Sequence, residues 1–218
     1  MNLPVLKNKK LFEQAFTHRS FLNEAKVKVQ SNERLEFLGD SILAFVVSDF
    51  LFATYPDFDE GTLTNLRSSL VNTKMLSKVA KELNLGALLK LSKGEEESKG
   101  RENDSLLENC FEAYVGALFL DQGIEIVSNF LKSTLLVKAE EFVQKKTFKD
   151  PKSLLQEKIQ ANKQSSPIYR VLLEAGPSHA KSFTVGVYVK GALLGKGSGR
   201  SKQEAEEMAA KSALEDLA

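Results

Sequence analysis

The spacing of apolar residues changes near residue 150, and this change constrains the fold more than any other feature of the sequence. Up to about residue 145, apolar residues recur with the 3.6-residue period of a helix, and the segment contains only two prolines, Pro4 and Pro56. After residue 150, the stretch KSFTVGVYVKG alternates apolar and polar residues with the two-residue period of a strand. The sequence therefore predicts an all-α domain over residues 1–145, followed by an α+β domain over residues 150–218.

Six helices are predicted in the first domain, over residues 10–17, 32–54, 62–71, 73–83, 105–122 and 124–144. The stretches YPDFDEG and SKGEEESKGREND are predicted to be connections, because charge, glycine and proline dominate them. Ser105 and Glu108 have the spacing of a capping box, which would begin the fifth helix. Phe45, Phe50 and Phe52 are interpreted as core residues of the second helix.

The second domain is predicted to have the order α-β-β-β-α. Asp150 followed by Pro151 is typical of a helix start, with a capping residue and a proline at the first helical position. The stretches SPIYRVLLEAG, KSFTVGVYVKG and ALLGKGSG are typical of strands. Ser201, with Glu204 three residues later, predicts a capped start for the last helix.

Composition narrows the class of protein. The 30 basic and 29 acidic residues nearly cancel, so a polyanionic partner would have to be bound by a local patch. Cys110 is the only cysteine, which excludes an internal disulfide and favours a reducing compartment. The N-terminus is charged too early for a signal peptide, and the run ILAFVVSDFLF is too short to span a bilayer. We expect a cytoplasmic protein with no membrane partner and no small-molecule cofactor.

The stretch SNERLEFLGDS places three carboxylates on one face of a predicted helix. Glu33, Glu36 and Asp40 are spaced i, i+3 and i+7. Glu36 and Asp40 are four residues apart, and this like-charged pair would cost about 0.2–0.5 kcal/mol of helix stability if nothing neutralised it. Arg34 is the only basic residue nearby in the sequence, and it projects from another face. The triplet is either a solvated helix face or one half of a divalent-cation site.

A later stretch, ENCFEA, could provide the other half of such a site. Asn109 and Glu112 lie at i and i+3 on a predicted helix, and Glu60 ends the predicted loop DFDEG. Hard cations such as magnesium take oxygen ligands, usually carboxylates from more than one segment together with water. Two facing helices would supply such ligands.

These segments, in this order, resemble the ribonuclease III family. AFTHRSF, NERLEFLGDS, DEGTLTNLRSSLVN and LLENCFEAYVGALFLDQG are similar to the endonuclease domain of bacterial ribonuclease III. GSGRSKQEAEEMAA is similar to the double-stranded RNA-binding domain that follows it in that family. The resemblance implies a homodimer that cleaves double-stranded RNA, leaving 5′-phosphate and 3′-hydroxyl ends, in the processing of rRNA and mRNA precursors. It implies Mg²⁺ as cofactor, with Mn²⁺ as a substitute, and no Ser or Cys nucleophile is needed when a metal activates water.

The resemblance also assigns roles to individual residues. It implies metal ligands at Glu36, Asp40, Asn109 and Glu112. It implies catalytic acids at Asp40, Glu112, Glu33 and Glu60. Phe37 corresponds to an aromatic residue that the family packs across its dimer interface.

Asn109 departs from the family pattern, which has an aspartate at this position. An amide oxygen can ligate magnesium but brings no negative charge, so the affinity for a cation should fall. Three interpretations stay open: a variant that still cuts, a deliberate substitution that traps substrate, and a chain that binds without cutting. The last is the alternative function, a catalytically impaired double-stranded RNA-binding protein; a ribosome-associated scaffold is a further class.

The second domain is predicted to recognise the shape of duplex RNA over about 16 base pairs. The start of its last helix combines free N–H groups with flanking cations, which is typical of a phosphate site, although a plain helix cap would show the same residues. The first helix and the loop GPSHAK are predicted to reach minor grooves. The predicted RNA-binding residues in these regions, to which the resemblance assigns the same roles, are Ser153, Gln156, Glu157, His179, Arg200, Ser201 and Lys202.

Overall fold

The chain divides into two compact units, Met1–Phe148 and Lys149–Ala218. The structure, a computed structural model, describes residues 3–145, 151–161, 165–177 and 181–217. The first unit is helical, and the second contains a helix, three antiparallel strands and a final helix. The predicted fold class is therefore confirmed.

The first unit contains long helices joined by short 3₁₀ segments. The helices are α1 (Lys9–Ala15), α2 (Glu33–Thr54), α3 (Glu60–Leu70), α4 (Thr73–Glu82), α5 (Lys93–Glu97), α6 (Asp104–Gln122), α7 (Ile124–Thr134) and α8 (Ala139–Lys145). The 3₁₀ segments are Arg19–Asn23, Leu85–Leu88, Gly100–Glu102 and Leu136–Lys138.

Two helix starts differ from those predicted, and local caps explain both. Asp59 accepts a hydrogen bond from the Thr62 N–H at 2.7 Å, so α3 already begins at Glu60 and that residue is helical rather than in a loop. Asn103 Oδ1 accepts hydrogen bonds from the N–H groups of Ser105 and Leu106 in the first turn of α6, at 2.9 and 3.3 Å. Asn103, and not the predicted capping box of Ser105 and Glu108, therefore begins α6.

Two predicted segments are also divided differently. The connector SKGEEESKGREND contains α5 and the 3₁₀ segment Gly100–Glu102, so it is largely helical. The single helix predicted over residues 124–144 is broken between α7 and α8. The hydroxyls of Ser133 and Thr134 both donate to the Phe130 carbonyl, at 2.9 and 2.8 Å, and such bonds compete with the helical ladder.

The core of the first unit is built on a close crossing of α2 and α6. A Cβ atom added to Gly39 would lie 1.8 Å from the backbone oxygen of Glu112, and one added to Gly116 would lie 2.3 Å from the backbone oxygen of Leu35. Only glycine at both positions allows the two backbones to approach this closely. Among the described residues, α2 alone has the length and apolar composition of a membrane span, and Leu43 and other apolar residues of α2 are buried in this core.

The residues before α1 form part of the first unit. The Tyr114 hydroxyl donates to the Pro4 carbonyl at 2.5 Å. The N–H groups of Lys7 and Asn8 donate to the Asp121 carboxylate at 2.6 and 3.1 Å. With the bond from Gln122 Nε2 to the Val5 carbonyl at 2.9 Å, these side-chain contacts to α6 hold the N-terminal segment in place.

The interpretation of Phe45 and Phe52 as core residues was wrong. Their side chains are 62% and 75% exposed, because they lie on the face of α2 that points away from α6. Phe50 is half-buried and packs against the core. An apolar helix period identifies an apolar face but does not say what covers it.

The second unit packs two helices on one face of a sheet. Its elements are α9 (Pro151–Ala161), β1 (Ile168–Ala175), β2 (Ser182–Val189), β3 (Ala192–Gly199) and α10 (Lys202–Asp216), with strand order β1-β2-β3. Val187 of β2 pairs with Tyr169 of β1 and with Gly195 of β3. The predicted alternation is confirmed, because Val185, Val187 and Val189 are buried in this core.

Candidate functional site

The three acidic residues of α2 lie in its first two turns, but they do not share one environment. Glu33 is exposed, Glu36 is half-buried and Asp40 is exposed. The Ser31 hydroxyl donates to Glu33 Oε2 at 2.8 Å. Arg19 Nη1 lies 3.6 Å from Glu33 Oε1. The neutralising cation is therefore Arg19, and not the sequence neighbour Arg34.

The pairing of Arg19 with Glu33 could not be identified from sequence spacing, because a loop separates Arg19 from the acidic triplet. Backbone hydrogen bonds hold the segment in front of it, since the His18 N–H donates to the Lys90 carbonyl at 3.1 Å and the Asn32 N–H donates to the Thr17 carbonyl at 2.9 Å. These bonds connect Arg19 to the start of α2. A regular sequence period carries no signal for such a contact.

His18 has a structural role in this segment. Its Nδ1 accepts a hydrogen bond from the Ser20 N–H at 3.3 Å and lies 2.9 Å from the Ser20 hydroxyl. The same hydroxyl accepts a hydrogen bond from the Ser92 N–H at 3.0 Å. Burial is the largest influence on His18 and lowers its pKa, so the ring is neutral near pH 7. His18 therefore acts as the cap of the 3₁₀ segment Arg19–Asn23.

Glu112 of α6 is the acidic residue with the most perturbed environment. Burial raises its pKa to about 8, with further contributions from the charges of Asp40, Glu108 and Glu36. No cation contributes among the described residues. At pH 7 the Glu112 carboxyl therefore holds a proton in the metal-free protein.

The pKa of Glu36, on α2, is shifted by nearby acidic charges as well. Burial raises its pKa most, followed by the charges of Glu33, Glu108 and Asp40, while Arg19 opposes the rise. Acids of α2 and α6 thus act on each other electrostatically, and Asp40 and Glu108 act on both Glu36 and Glu112. Glu108, which the sequence analysis considered only as a cap, belongs to this group.

Asn109 is half-buried on α6, one turn before Glu112. Across the described ranges, the structure records no hydrogen bond to its side-chain amide. The position is next to the acidic residues, as the sequence predicts. Its side chain brings an oxygen but no charge.

The donor atoms of this acidic site suit a hard divalent cation. Carboxylate and amide oxygens are the ligands of magnesium, and the burial of Glu112 beside three other carboxylates leaves a negative charge that a cation would compensate. In the described part of the chain, no three acidic, histidine or cysteine side chains converge on one coordination position. Magnesium is commonly bound by one or two carboxylates, with water and substrate phosphates completing its shell. By type, the residues fit Mg²⁺ or Mn²⁺.

Glu60 lies apart from the acidic site within the single chain. It is the first residue of α3, and its carboxylate accepts from the Thr64 hydroxyl at 3.4 Å. It lines a groove together with Phe52 and Arg67. Its charge does not contribute to the pKa of Glu36 or Glu112. The single chain does not bring Glu60 to the other acids.

Phe37 projects from the surface of α2 and is 78% exposed. Together with Phe45 and Phe52 it forms an apolar stripe, which we call the phenylalanine face. The spacings of eight and seven residues keep these rings within about 80° of arc around the helix and spread them over about 22 Å. Exposed apolar stripes of this kind mark interaction surfaces.

The predicted phosphate site of the second unit lies at the start of α10. Ser201 Oγ accepts from the Glu204 N–H at 3.1 Å, which confirms Ser201 as the cap. The Glu204 carboxylate accepts from the Arg200 N–H at 2.7 Å instead of returning to Ser201, so the capping box is only half formed. Lys202 Nζ lies 5.8 Å from the centre of the Phe183 ring. The side chains of Arg200, Ser201 and Lys202 are exposed.

The predicted minor-groove residues of α9 are also exposed. Ser153, Gln156 and Glu157 lie on the solvent side of this helix, while Leu155 and Ile159 are buried against the sheet. Lys152 forms an ion pair with Glu206 at 2.5 Å, which joins α9 to α10. His179 lies outside the described residues.

Comparisons with known families divide the chain at the same place as its fold. Residues 8–139 match a family model described as Ribonuclease-III-like. Residues 151–217 match the double-stranded RNA binding motif. The first match contains the whole acidic site, and the second contains α9, the sheet and α10.

Curated relatives match along nearly the whole chain. Ribonuclease 3 of Streptococcus gordonii is 46% identical over 214 residues, which cover 97% of this chain and 91% of the relative. Ribonuclease 3 of Bacillus licheniformis is 47% identical over 211 residues, which cover 96% of this chain and 84% of the relative. The similarity therefore includes both units.

Solved structures show the same likeness. A nuclease domain of ribonuclease III from Campylobacter jejuni, described for structural flexibility in its region involved in dimer formation, is 40% identical with a TM-score of 0.56. The match covers 60% of this chain and 87% of that domain. Dicer from Pichia stipitis is 29% identical with a TM-score of 0.52, and the match covers 99% of this chain and 97% of that one.

Proposed function

The chain belongs to the ribonuclease III family of endoribonucleases acting on double-stranded RNA, and on that premise we propose that it hydrolyses RNA phosphodiesters in a metal-dependent reaction. The products would be 5′-phosphate and 3′-hydroxyl ends. The observation that carries the proposal is the half-buried Glu112, on which the charges of Asp40, Glu108 and Glu36 act and no cation among the described residues does. A half-buried carboxyl beside several other acids is the expected metal-free form of a hydrolytic metal site.

In this proposal Glu36, Asp40, Asn109 and Glu112 would hold Mg²⁺, or Mn²⁺ in its place. A bound divalent cation supplies activation of water and stabilisation of charge on the oxygens at phosphorus. Glu112 must lose its proton before it can ligate a cation, so the affinity for metal should rise as the pH approaches 8. Glu33 would assist from the edge of the site, oriented by Arg19.

We further propose that two copies associate through the phenylalanine face. A two-fold interface pairs the same surface on both copies, so a face along α2 would cross its counterpart near Phe45. The Phe52 end of one copy would then approach the Phe37 end of the other. Glu60 lies in a groove beside Phe52, so each copy could bring its Glu60 towards the acidic site of its partner. The dimer formation described for the Campylobacter jejuni nuclease domain supports this arrangement.

The second unit would bind the duplex and present it for cutting. Its double-stranded RNA binding motif supports recognition of shape through phosphates and 2′-hydroxyls. Arg200, Ser201 and Lys202 would contact phosphates at the start of α10. Ser153, Gln156, Glu157 and His179 would reach minor grooves. The proposed setting is the cytoplasm and the proposed substrates are rRNA and mRNA precursors, without a membrane partner or a small-molecule cofactor.

Cleavage of a labelled RNA duplex by the purified chain tests this function. We expect cutting in Mg²⁺ or Mn²⁺ and binding without cutting in Ca²⁺, and both product ends can be identified by their reactivity with kinase and ligase. An Asn109→Asp variant is the internal comparison. If the chain as it stands does not cut in any metal and the variant does, the alternative function, RNA binding without catalysis, is correct.

A further inference from the structure

Glu108 occupies a position on α6 that faces the acidic site. It precedes Glu112 by four residues, so the two side chains lie one above the other on the same face of the helix, about 6 Å apart along the axis. Glu108 is half-buried. Glu108 also directly precedes Asn109. The chain therefore has a carboxylate next to the position at which the family has an aspartate.

The close crossing of α2 and α6 brings this face of α6 towards α2. Gly39 of α2 contacts the backbone of Glu112, and Glu108 lies one turn before Glu112 on α6. The influence of the Glu108 charge on both Glu36 and Glu112 is consistent with this placement. Glu108 therefore adds a fourth carboxylate to Glu36, Asp40 and Glu112.

Other charges do not account for this placement. Among the described residues the structure records no ion pair for Glu108, whereas Asp104, one turn earlier on the same helix, pairs with Lys81 at 2.6 Å. Two glutamates at i and i+4 repel each other when no cation lies between or beside them. The charge of Glu108 is therefore uncompensated among the described residues, and a bound cation would compensate it.

We propose that Glu108 supplies to the metal site the negative charge that Asn109 lacks. The inference rests on the proposed function, because it assigns a residue to the same site. Asn109 would keep the oxygen ligand, and the longer side chain of Glu108 would bring the charge from the adjacent position, either directly or through a water molecule. In both cases Glu108 adds a charge to the site, so a site in which one ligand is neutral still has four carboxylates.

Binding of Mn²⁺ to the metal-free full chain tests the inference without reference to catalysis. The paramagnetic resonance signal of free Mn²⁺ falls as the ion binds, and it gives the affinity for the wild type, Glu108→Gln, Asn109→Asp and the double variant. Glu125→Gln is the matched control, because Glu125 is an exposed acid in the first turn of α7. Removal of a charge that acts on a metal from beside its ligands commonly weakens binding about 10- to 100-fold.

We expect Glu108→Gln to weaken Mn²⁺ binding about tenfold and the double variant to regain most of that loss. Glu125→Gln should bind as the wild type does. The melting temperature of the metal-free Glu108→Gln protein should equal or exceed that of the wild type, because the removed carboxylate has no ion-pair partner among the described residues. If Glu108 had a purely structural role, Glu108→Gln would instead lower the melting temperature, and Asn109→Asp would not restore Mn²⁺ binding.

Two results would overturn the inference alone. The first is Mn²⁺ binding by Glu108→Gln within about twofold of the wild type, since a charge beside the ligands should matter more than that. The second is a loss that Asn109→Asp does not restore. If the wild type binds Mn²⁺ through Glu108 but does not cut duplex RNA, the proposed hydrolysis fails and the inference stands. If the wild type neither binds Mn²⁺ nor cuts, both fail.

Discussion

A Cβ atom on Gly39 would lie 1.8 Å from the carbonyl oxygen of Glu112, so α2 and α6 meet backbone to backbone at the acidic site. This contact sets the separation of the two carboxylate-bearing helices directly, without an intervening layer of side chains. The distance between Asp40 and Glu112 therefore depends on a glycine rather than on the packing of larger residues.

The first prediction concerns Gly39→Ala. The added methyl group overlaps backbone that cannot rotate away, so the helices must separate and the free energy of unfolding should fall by about 3 kcal/mol or more. Urea denaturation of the two proteins measures this loss. Gly61→Ala is the control, because a Cβ atom at Gly61 of α3 would make only an ordinary van der Waals contact, 3.8 Å from Asp59 Oδ1, and the variant should gain about 0.5–1 kcal/mol. Equal stability of Gly39→Ala and the wild type would show that the crossing is wider than described.

The second prediction concerns the pH dependence of stability in the metal-free protein. Glu112 has a pKa of about 8 in the folded chain against 4.5 without the fold, so between these values the folded state binds more protons than the unfolded state. The free energy of unfolding should therefore fall as pH rises from 4.5 through 8. Glu112→Gln should remove this fall and be more stable than the wild type above pH 8 by about 1–3 kcal/mol, allowing for partial exposure of the carboxyl.

Denaturation in a chelator at pH 5 and pH 9 measures this difference. Glu125→Gln, which removes an exposed carboxyl, should show no such pH-dependent gain. A stability difference between Glu112→Gln and the wild type that is the same at both pH values would contradict the raised pKa of Glu112.

The third prediction concerns the phenylalanine face. Phe45→Glu places a charge at the centre of the proposed two-fold interface, so the dimer should dissociate, while the monomer should keep its fold because this side chain is exposed in it. Sedimentation equilibrium over a range of concentrations measures the association. Val137→Glu alters an equally exposed apolar residue of the 3₁₀ segment after α7 and should leave association unchanged. Equal association of Phe45→Glu and the wild type would place the interface elsewhere.

The fourth prediction concerns phosphate contacts by the second unit. Lys202→Ala should weaken duplex RNA binding similarly for different sequences and reduce the slope of log affinity against log salt by about one. Fluorescence anisotropy at several salt concentrations, in Ca²⁺, provides both values. Lys211→Ala changes an exposed lysine further along the same helix and should change neither. A salt slope that stays at the wild-type value would remove Lys202 from the interface.

The fold class could be predicted from the sequence because its signals are periodic. The alternation that buries Val185, Val187 and Val189 follows from the two-residue repeat of a strand. The long helix α2 follows from its 3.6-residue apolar period. Cap positions were harder to predict from the sequence, because Asn103 and Ser105 are both residue types that can begin a helix. In the structure Asn103 is the cap of α6.

The environment of the candidate site was only partly predictable. The triplet on α2 and Glu112 on α6 could be selected by spacing. The pairing of Glu33 with Arg19 depends on the hydrogen bonds from the His18 N–H to the Lys90 carbonyl and from the Asn32 N–H to the Thr17 carbonyl, which no periodicity encodes. The exposure of Phe45 could not be predicted for a related reason. A period of 3.6 finds an apolar face equally well whether the face meets the core or another molecule.

The N-terminal segment has a practical consequence for any shortened form of the protein. The match to the nuclease family model begins only at residue 8, yet the Pro4 carbonyl accepts a hydrogen bond from the buried Tyr114 hydroxyl, and the Lys7 N–H donates to Asp121. A truncation placed by similarity would uncover the Tyr114 hydroxyl and free the far end of α6, the helix that carries Glu112. An excised catalytic domain should therefore begin at or before Leu3.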